Sequence, residues 1–391
     1  MKGVTLSALL VCVWLGLFAQ STISLDSAIA ETLKKHPYLK AAQLELEEQR
    51  ALKKGSFSLP DPQLMLEAPT GEFFTPGIQQ SIDNPLVYIQ QSKVGKEKVK
   101  LAEAGIRISR AAVIRQASRA YNQLQYSEAR ARQAVTQDSI FTAHYLATDK
   151  RHKAGDVGLL ELTSAEARAG EASVELAQTR AQLKSAQLGL SLLTGIDIKG
   201  MLTASAYEKL DYNESIIEAP SSGLFIDYAN QNTVVARKEL KLAKFGLAPD
   251  FSFGYMNQAE LTSSTTYRFQ FGLSLPLWFW THTARIKAAK ANAEKRSFEG
   301  AMAAQNFNFK WFDAIQAYQA NQASLEYFDS VGLKQSDVIL DAASRSYTAG
   351  EISYIEYLFS VSQAFEIKTN YYEALKKYNA SVIELNYLKG K

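Results

Sequence analysis

The sequence predicts a mainly α-helical chain with a small β part, built from one structural unit used twice. Three observations predict this. Apolar residues keep helical spacing over stretches of about 60 residues, far longer than an ordinary helix. A strict two-residue alternation runs from Tyr267 to Leu275, the mark of a strand with one apolar face. Two turn sequences recur at an offset of 195 positions: Ala154-Gly155-Asp156-Val157 with Glu161, then Ala349-Gly350-Glu351-Ile352 with Glu356. The pairs Pro60-Asp61 and Pro249-Asp250 recur at an offset of 189, so helix, hairpin, long helix, turn and helix form an internal duplication.

The 391 residues carry a formal charge of only +3, which gives no electrostatic case for a nucleic-acid partner. Residues 1–21 read as a secretory signal: Lys2, an apolar run from Leu6 to Phe18, then small residues at Ala19 and Ser21. The single cysteine, Cys12, lies inside it, and Val11 before it is a poor fit to a lipoprotein signal. A mature chain without thiols suits an oxidising envelope compartment. No later run reaches 18 apolar residues, so membrane insertion would require a β-barrel.

The first unit spans 22–223. Ser24 or Asp26 caps a helix that Gly55 ends, with a break signalled by Pro37. A hairpin follows over about 61–84, where Leu64, Leu66 and Ala68 alternate with polar positions and Ile78 to Ile82 forms a second strand. The long helix is expected over about 94–153, roughly 90 Å at 1.5 Å per residue. Val113, Ala117, Ala120 and Leu124 mark its packed face.

A return helix over about 157–194 has two heptad seams. Leu162, Ala169, Leu176, Leu183 and Leu190 form one; Ala165, Ala172, Thr179, Ala186 and Leu193 form the other. Residues 195–223 are less regular. The second unit, 224–391, repeats the order. A helix ends at Gly246, hairpin strands occupy about 250–276, a long helix about 281–347, and a return helix about 352–389. Trp311, Ile315, Tyr318, Gln322 and Leu325 define the packed face of its long helix.

Two hairpins supply four strands, too few to close a membrane barrel, and open edges in lipid leave backbone groups unpaired. Three copies supply twelve strands around a polar lumen. Long helices packed about the same threefold axis would form a hollow tube, with two short helices stacked beside each long one. That object is a conduit.

The residues that carry a family likeness are the duplicated glycine turns and the Pro-Asp strand openings. A third stretch is Gly272-Leu273-Ser274-Leu275-Pro276-Leu277 running into Ala284-Arg285-Ile286-Lys287-Ala288-Ala289. With these the chain resembles the TolC family of outer-membrane efflux channels, over essentially all of its mature length. The resemblance implies a homotrimer, with a twelve-stranded β-barrel in outer-membrane lipid and a helical barrel in the periplasm. Its partners would be a periplasmic adaptor (membrane fusion) protein and, indirectly, an inner-membrane pump. The compact length resembles the heavy-metal and drug efflux branches. The duct of a type I protein secretion system and a soluble periplasmic coiled-coil adaptor are the competing readings, and the cargo stays open.

The resemblance makes Ala154, Gly155, Asp156, Val157 and Gly158, with Ala349, Gly350, Glu351, Ile352 and Ser353, the adaptor-binding tip turns. An ordinary helix connection would also use glycine here. In similar channels acidic residues near the entrance form a constriction. Glu356 falls on such a position, Glu161 is its counterpart in the first unit, and a solvated helix-face carboxylate is the competing reading. Phe359 occupies the family's further acidic position, so a partly hydrophobic constriction is expected. Arg268 and Gln270 should face the lumen if Phe269 and Phe271 face lipid, with Trp278 and Trp280 in an interfacial belt. No catalytic motif, cofactor loop or metal spacing emerges. His36, His144, His152 and His282 are scattered, and no enzyme activity is expected.

Overall fold

The computed structural model describes residues 22–67, 75–198, 202–203, 206–212, 223–256 and 269–390. The chain runs β1 (Thr22–Ile23), α1 (Leu25–Lys35), α2 (Pro37–Lys54), β2 (Gln63–Glu67), β3 (Thr75–Ile82), α3 (Pro85–Lys153) and α4 (Leu159–Thr194). It continues with β4 (Leu202–Thr203), α5 (Leu224–Phe245), β5 (Asp250–Met256), β6 (Phe269–Ser274), α6 (Phe279–Tyr327), α7 (Leu333–Thr348) and α8 (Tyr354–Leu388). The fold is therefore mainly α with one small four-stranded sheet and a two-stranded parallel pair.

Local chemistry explains the helix boundaries. Pro37 splits the first helix in two, because it sits at the start of α2 while His36 Nδ1 accepts the Tyr38 N–H at 3.2 Å. The long helix α3 begins at Pro85, nine residues before the expected 94, and runs for 69 residues. Asn84 Oδ1 accepts the Leu86 N–H at 2.9 Å and Pro85 needs no donor, so the proline starts the helix instead of interrupting a strand. The second long helix is not continuous either. A π-helical turn, Phe328–Gly332, divides α6 from α7.

The helices pack side by side in one layer. α3 packs against α2 and α4 along one flank and against α5 and α8 along the other, and α6 and α7 lie beyond α5 and α8. Val113, Ala117 and Leu124 on α3 are buried, as are Ala165, Ala172, Thr179 and Leu190 of the α4 seams. Small residues at these positions let the two helices approach closely along their length. On the other flank Trp311, Ile315, Tyr318 and Leu325 join Leu375, Val382 and Leu385 of α8 in the largest apolar cluster.

Residues 202–203, 206–212 and β1 pack against one side of this layer. Tyr207 donates its hydroxyl to Asn122 Oδ1 at 3.0 Å, and Asn379 Oδ1 accepts the Leu210 N–H at 2.8 Å. Glu128 accepts from both the Thr203 N–H and hydroxyl at 3.0 and 2.8 Å. Residues Lys377, Ala380, Ser381 and Glu384 point to the opposite side, where they line a groove of 910 Å³ with α3, α5 and α6.

The sheet caps one end of the helices in the order β2-β3-β5-β6, all antiparallel. The two hairpins are thus joined into a single sheet by the β3–β5 pairing. Register places Leu64, Leu66, Ile78, Phe251, Phe253, Tyr255, Phe269, Phe271 and Leu273 on one face. Gln63, Gln79, Ser81, Ser252, Gly254, Gln270 and Ser274 occupy the other. The apolar face is uncovered: Leu64 is 83% exposed and Phe271 82%. Edge strands β2 and β6 have no outer neighbour among the described residues.

Candidate functional site

At the end of the helices opposite the sheet, two tight turns share one geometry. Gly155 and Gly350 adopt φ of +84° and +78°, the left-handed region that glycine enters without a Cβ clash. Each turn closes with the same pair of backbone bonds. The Gly155 and Asp156 N–H groups donate to His152 and Arg151 carbonyls at 2.9 Å. The Gly350 and Glu351 N–H groups donate to Tyr347 and Ser346 carbonyls at 3.1 and 2.9 Å. These bonds satisfy carbonyls that the ending helices leave unpaired. A Cβ at either glycine would meet nothing within 4 Å, so the backbone angle alone selects the residue and the turns stand open to an incoming surface.

The residues after each turn start the return helices differently. Ser353 caps α8 in a reciprocal box: its hydroxyl accepts the Glu356 N–H at 3.3 Å, and Glu356 Oε2 accepts the Ser353 N–H at 2.7 Å. That backbone donor holds the Glu356 carboxyl below its ordinary pKa. Gly158 caps α4 without a side chain. Glu161, at the position equivalent to Glu356, instead lies 3.8 Å from Arg151, and His152 Nδ1 lies 2.9 Å from the Val157 carbonyl. Phe359 is 70% exposed, one turn past Ile355, which is also exposed.

Behind the turns the two units touch through aromatic residues. Arg151 donates to the Tyr347 hydroxyl at 3.1 Å. His144 on α3 contacts the rings of Tyr347, Tyr354 and Tyr357, and its Nε2 is hydrogen-bonded to the Tyr357 hydroxyl. Beneath them Phe141, Ala165, Ala343, Val361 and Phe365 form a buried cluster. Burial lowers the His144 pKa and raises those of Tyr354 and Tyr357, which keeps the imidazole neutral and the phenols protonated. Sequence reasoning treated His144 only as a failed metal ligand. Its partners lie more than 200 positions away, and three tyrosines around the second turn were the only local signal.

At the other end, Gln270 lies on the polar face of the sheet opposite Gly254. Arg268 lies outside the described residues. Trp278 and Trp280 fall at the start of α6, four residues and more beyond β6, with their rings 5.0 Å apart and both exposed. Among the described residues no group of three or more histidine, cysteine or acidic side chains could hold a metal ion. No described helix is long and apolar enough to cross a membrane.

Solved structures of outer-membrane channel proteins share this fold of a long helical layer carrying a small sheet. The outer membrane protein VceC of Vibrio cholerae superposes with a TM-score of 0.78 at 14% identity, over 94% of this chain and 96% of that one. The outer membrane channel CmeC of Campylobacter jejuni gives 0.74 at 16% identity, over 94% and 85%. The open state of the outer membrane channel MtrE of Neisseria gonorrhoeae gives 0.74 at 16%, over 94% and 88%. No protein-family model and no curated protein sequence matches the chain.

Proposed function

We propose that the chain is an outer-membrane duct, a passive exit channel that does no chemistry and takes its energy from an inner-membrane partner. The observation that carries this is the sheet: one largely exposed apolar face, a more polar opposite face and two edges with no outer neighbour among the described residues. In water such a face would cost roughly 25 cal/mol for each Å² left exposed. In lipid the face is stable but the edges are not, so strands from other copies must pair with β2 and β6. Three copies close a twelve-stranded barrel whose lumen is lined by Gln63, Gln79, Ser252 and Gln270. A soluble adaptor would leave the apolar face without a cover.

In this reading the glycine turns form the periplasmic tip and offer Ala154–Gly158 and Ala349–Ser353 to a periplasmic adaptor. Glu356 and Phe359 stand at the entrance, and tripartite efflux is the setting. The test is the mass of the detergent-extracted protein together with single-channel conductance in a planar bilayer. A trimer whose low conductance rises severalfold on Phe359→Ala or Glu356→Ala supports the duct. A monomer with no conductance overturns it.

A further inference from the structure

We infer that the sheet-end turns of the helices bind the headgroups of anionic phospholipids through a collar of exposed lysines. The inference rests on the membrane-duct reading above and adds a partner to it.

The same order of residues appears at four helix ends, going from the sheet into the helices. Beyond α2 lie exposed Phe57 and Leu59, and Lys54 is its last residue. On α3, exposed Leu86 and Ile89 precede Lys93 and Lys96. Past α5 lies exposed Leu247, with Lys244 and Lys241 one and two turns inside the helix. On α6, Trp278, Phe279 and Trp280 precede Lys287. All six lysines are exposed. The ion pairs formed around them use other residues: Lys98 with Glu239, Lys100 with Glu97, and Lys290 with Glu294. Positions 53–54, 93–100, 237–244 and 285–296 together hold fifteen basic residues against three acidic ones, within a chain of net charge +3. The basic charge is therefore concentrated next to the apolar belt.

The direction of these lysines follows from the helix period. Lys93, Lys96, Lys100, Arg107, Tyr121 and Gln125 lie on one stripe of α3, and Tyr121 and Gln125 bond Ile23 and Ala206 on that side. None of the six lysines lines the grooves of 910, 480 or 460 Å³, although Lys100 and Arg107 of the same stripe line the one of 480 Å³. The heights also match. Lys93 and Lys96 lie about 6 and 10 Å past Ile89, and Lys287 about 10 Å past Trp280, at 1.5 Å per residue. A headgroup layer is roughly 5–8 Å thick, and lysine stems reach back toward such a layer. A lysine held near an anionic surface attracts it by a factor of about five.

The experiment reconstitutes the full-length protein in bilayers of equal phosphatidylglycerol and phosphatidylcholine, then quantifies the lipid retained after extraction. Phosphatidylglycerol should be enriched at least about threefold at low salt, falling toward parity at high salt as charge is screened. Replacing the six lysines by glutamine should abolish the enrichment, and replacing them by arginine should preserve it. Lys310→Gln with Lys377→Gln, in the groove, should leave it unchanged. Insertion with equal retention of both lipids overturns the collar, as does enrichment that survives the glutamine variant. A wild-type protein that fails to float with either lipid overturns the duct reading itself.

Discussion

The two glycine turns have one backbone and two ways of fastening it. Both close with the same bonds and both glycines are left-handed. The second turn is secured inside its own segment, by the Ser353–Glu356 box and by Ser346 donating to Glu351 at 2.9 Å. The first has its own contacts, Arg151 with Glu161 and His152 Nδ1 with the Val157 carbonyl, and Arg151 also donates to Tyr347 of the other unit. Duplication has kept the conformation and let the side chains diverge. The first turn therefore adds a contact between the units to its own fastening, whereas the second is closed by a capping box within its segment.

The largest expected effect strikes what the turns share. Phe141→Ala empties a fully buried site under both and should cost about 3–5 kcal/mol. Limited proteolysis should then cut both turns faster, and protection of either one would show that the core beneath is not common. Next come Gly155→Ala and Gly350→Ala. Each forces a Cβ into the left-handed region at about 1–2 kcal/mol, equally at the two sites because neither has a crowding neighbour. Unequal melting shifts would mean that one turn relaxes and the other does not.

The asymmetry itself is tested by Ser353→Ala. Losing that cap should destabilise the start of α8 by about 1 kcal/mol, while Gly158→Ser should gain only a few tenths at α4. Amide exchange in residues 353–357 and 158–162 reads both.

The smallest effect is pH-dependent. The Glu356 pKa is lowered in the fold, so its contribution is present above the ordinary carboxylate range and is lost as pH falls through the folded value. The second turn should loosen at low pH and Glu356→Gln should remove that response. The His144 pKa is also lowered, so its neutral form supports the packing above the ordinary imidazole value and protonation weakens it as pH falls below. Contacts between the units should loosen at a higher pH than the second turn does. His144→Phe should abolish that first step in an exchange experiment run from pH 7.5 to 4.

Much of this molecule was legible in the chain because its elements are long and periodic. The α4 seams, the Trp311 to Leu325 face and the strict alternation at Phe269–Ser274 each repeat a local rule many times. The glycines announced their φ because few other residues tolerate it. What local rules could not show was direction and partnership. Pro85 reads as a breaker in a Pro/Gly-rich stretch, yet beside Asn84 it starts a 69-residue helix. The π-helical turn at Phe328–Gly332 interrupts a pattern that stays helical in period on both sides.

By itself the sequence indicated the long helices, the two glycine turns and the apolar strand faces. These depend on residues within a few positions of one another, where backbone sterics and helical or strand period act directly. Only the tertiary structure decided that β3 pairs with β5 and that His144 sits among three tyrosines of the other unit. Such choices compare free energies of contacts between distant segments, and no local pattern along the chain records which contact wins.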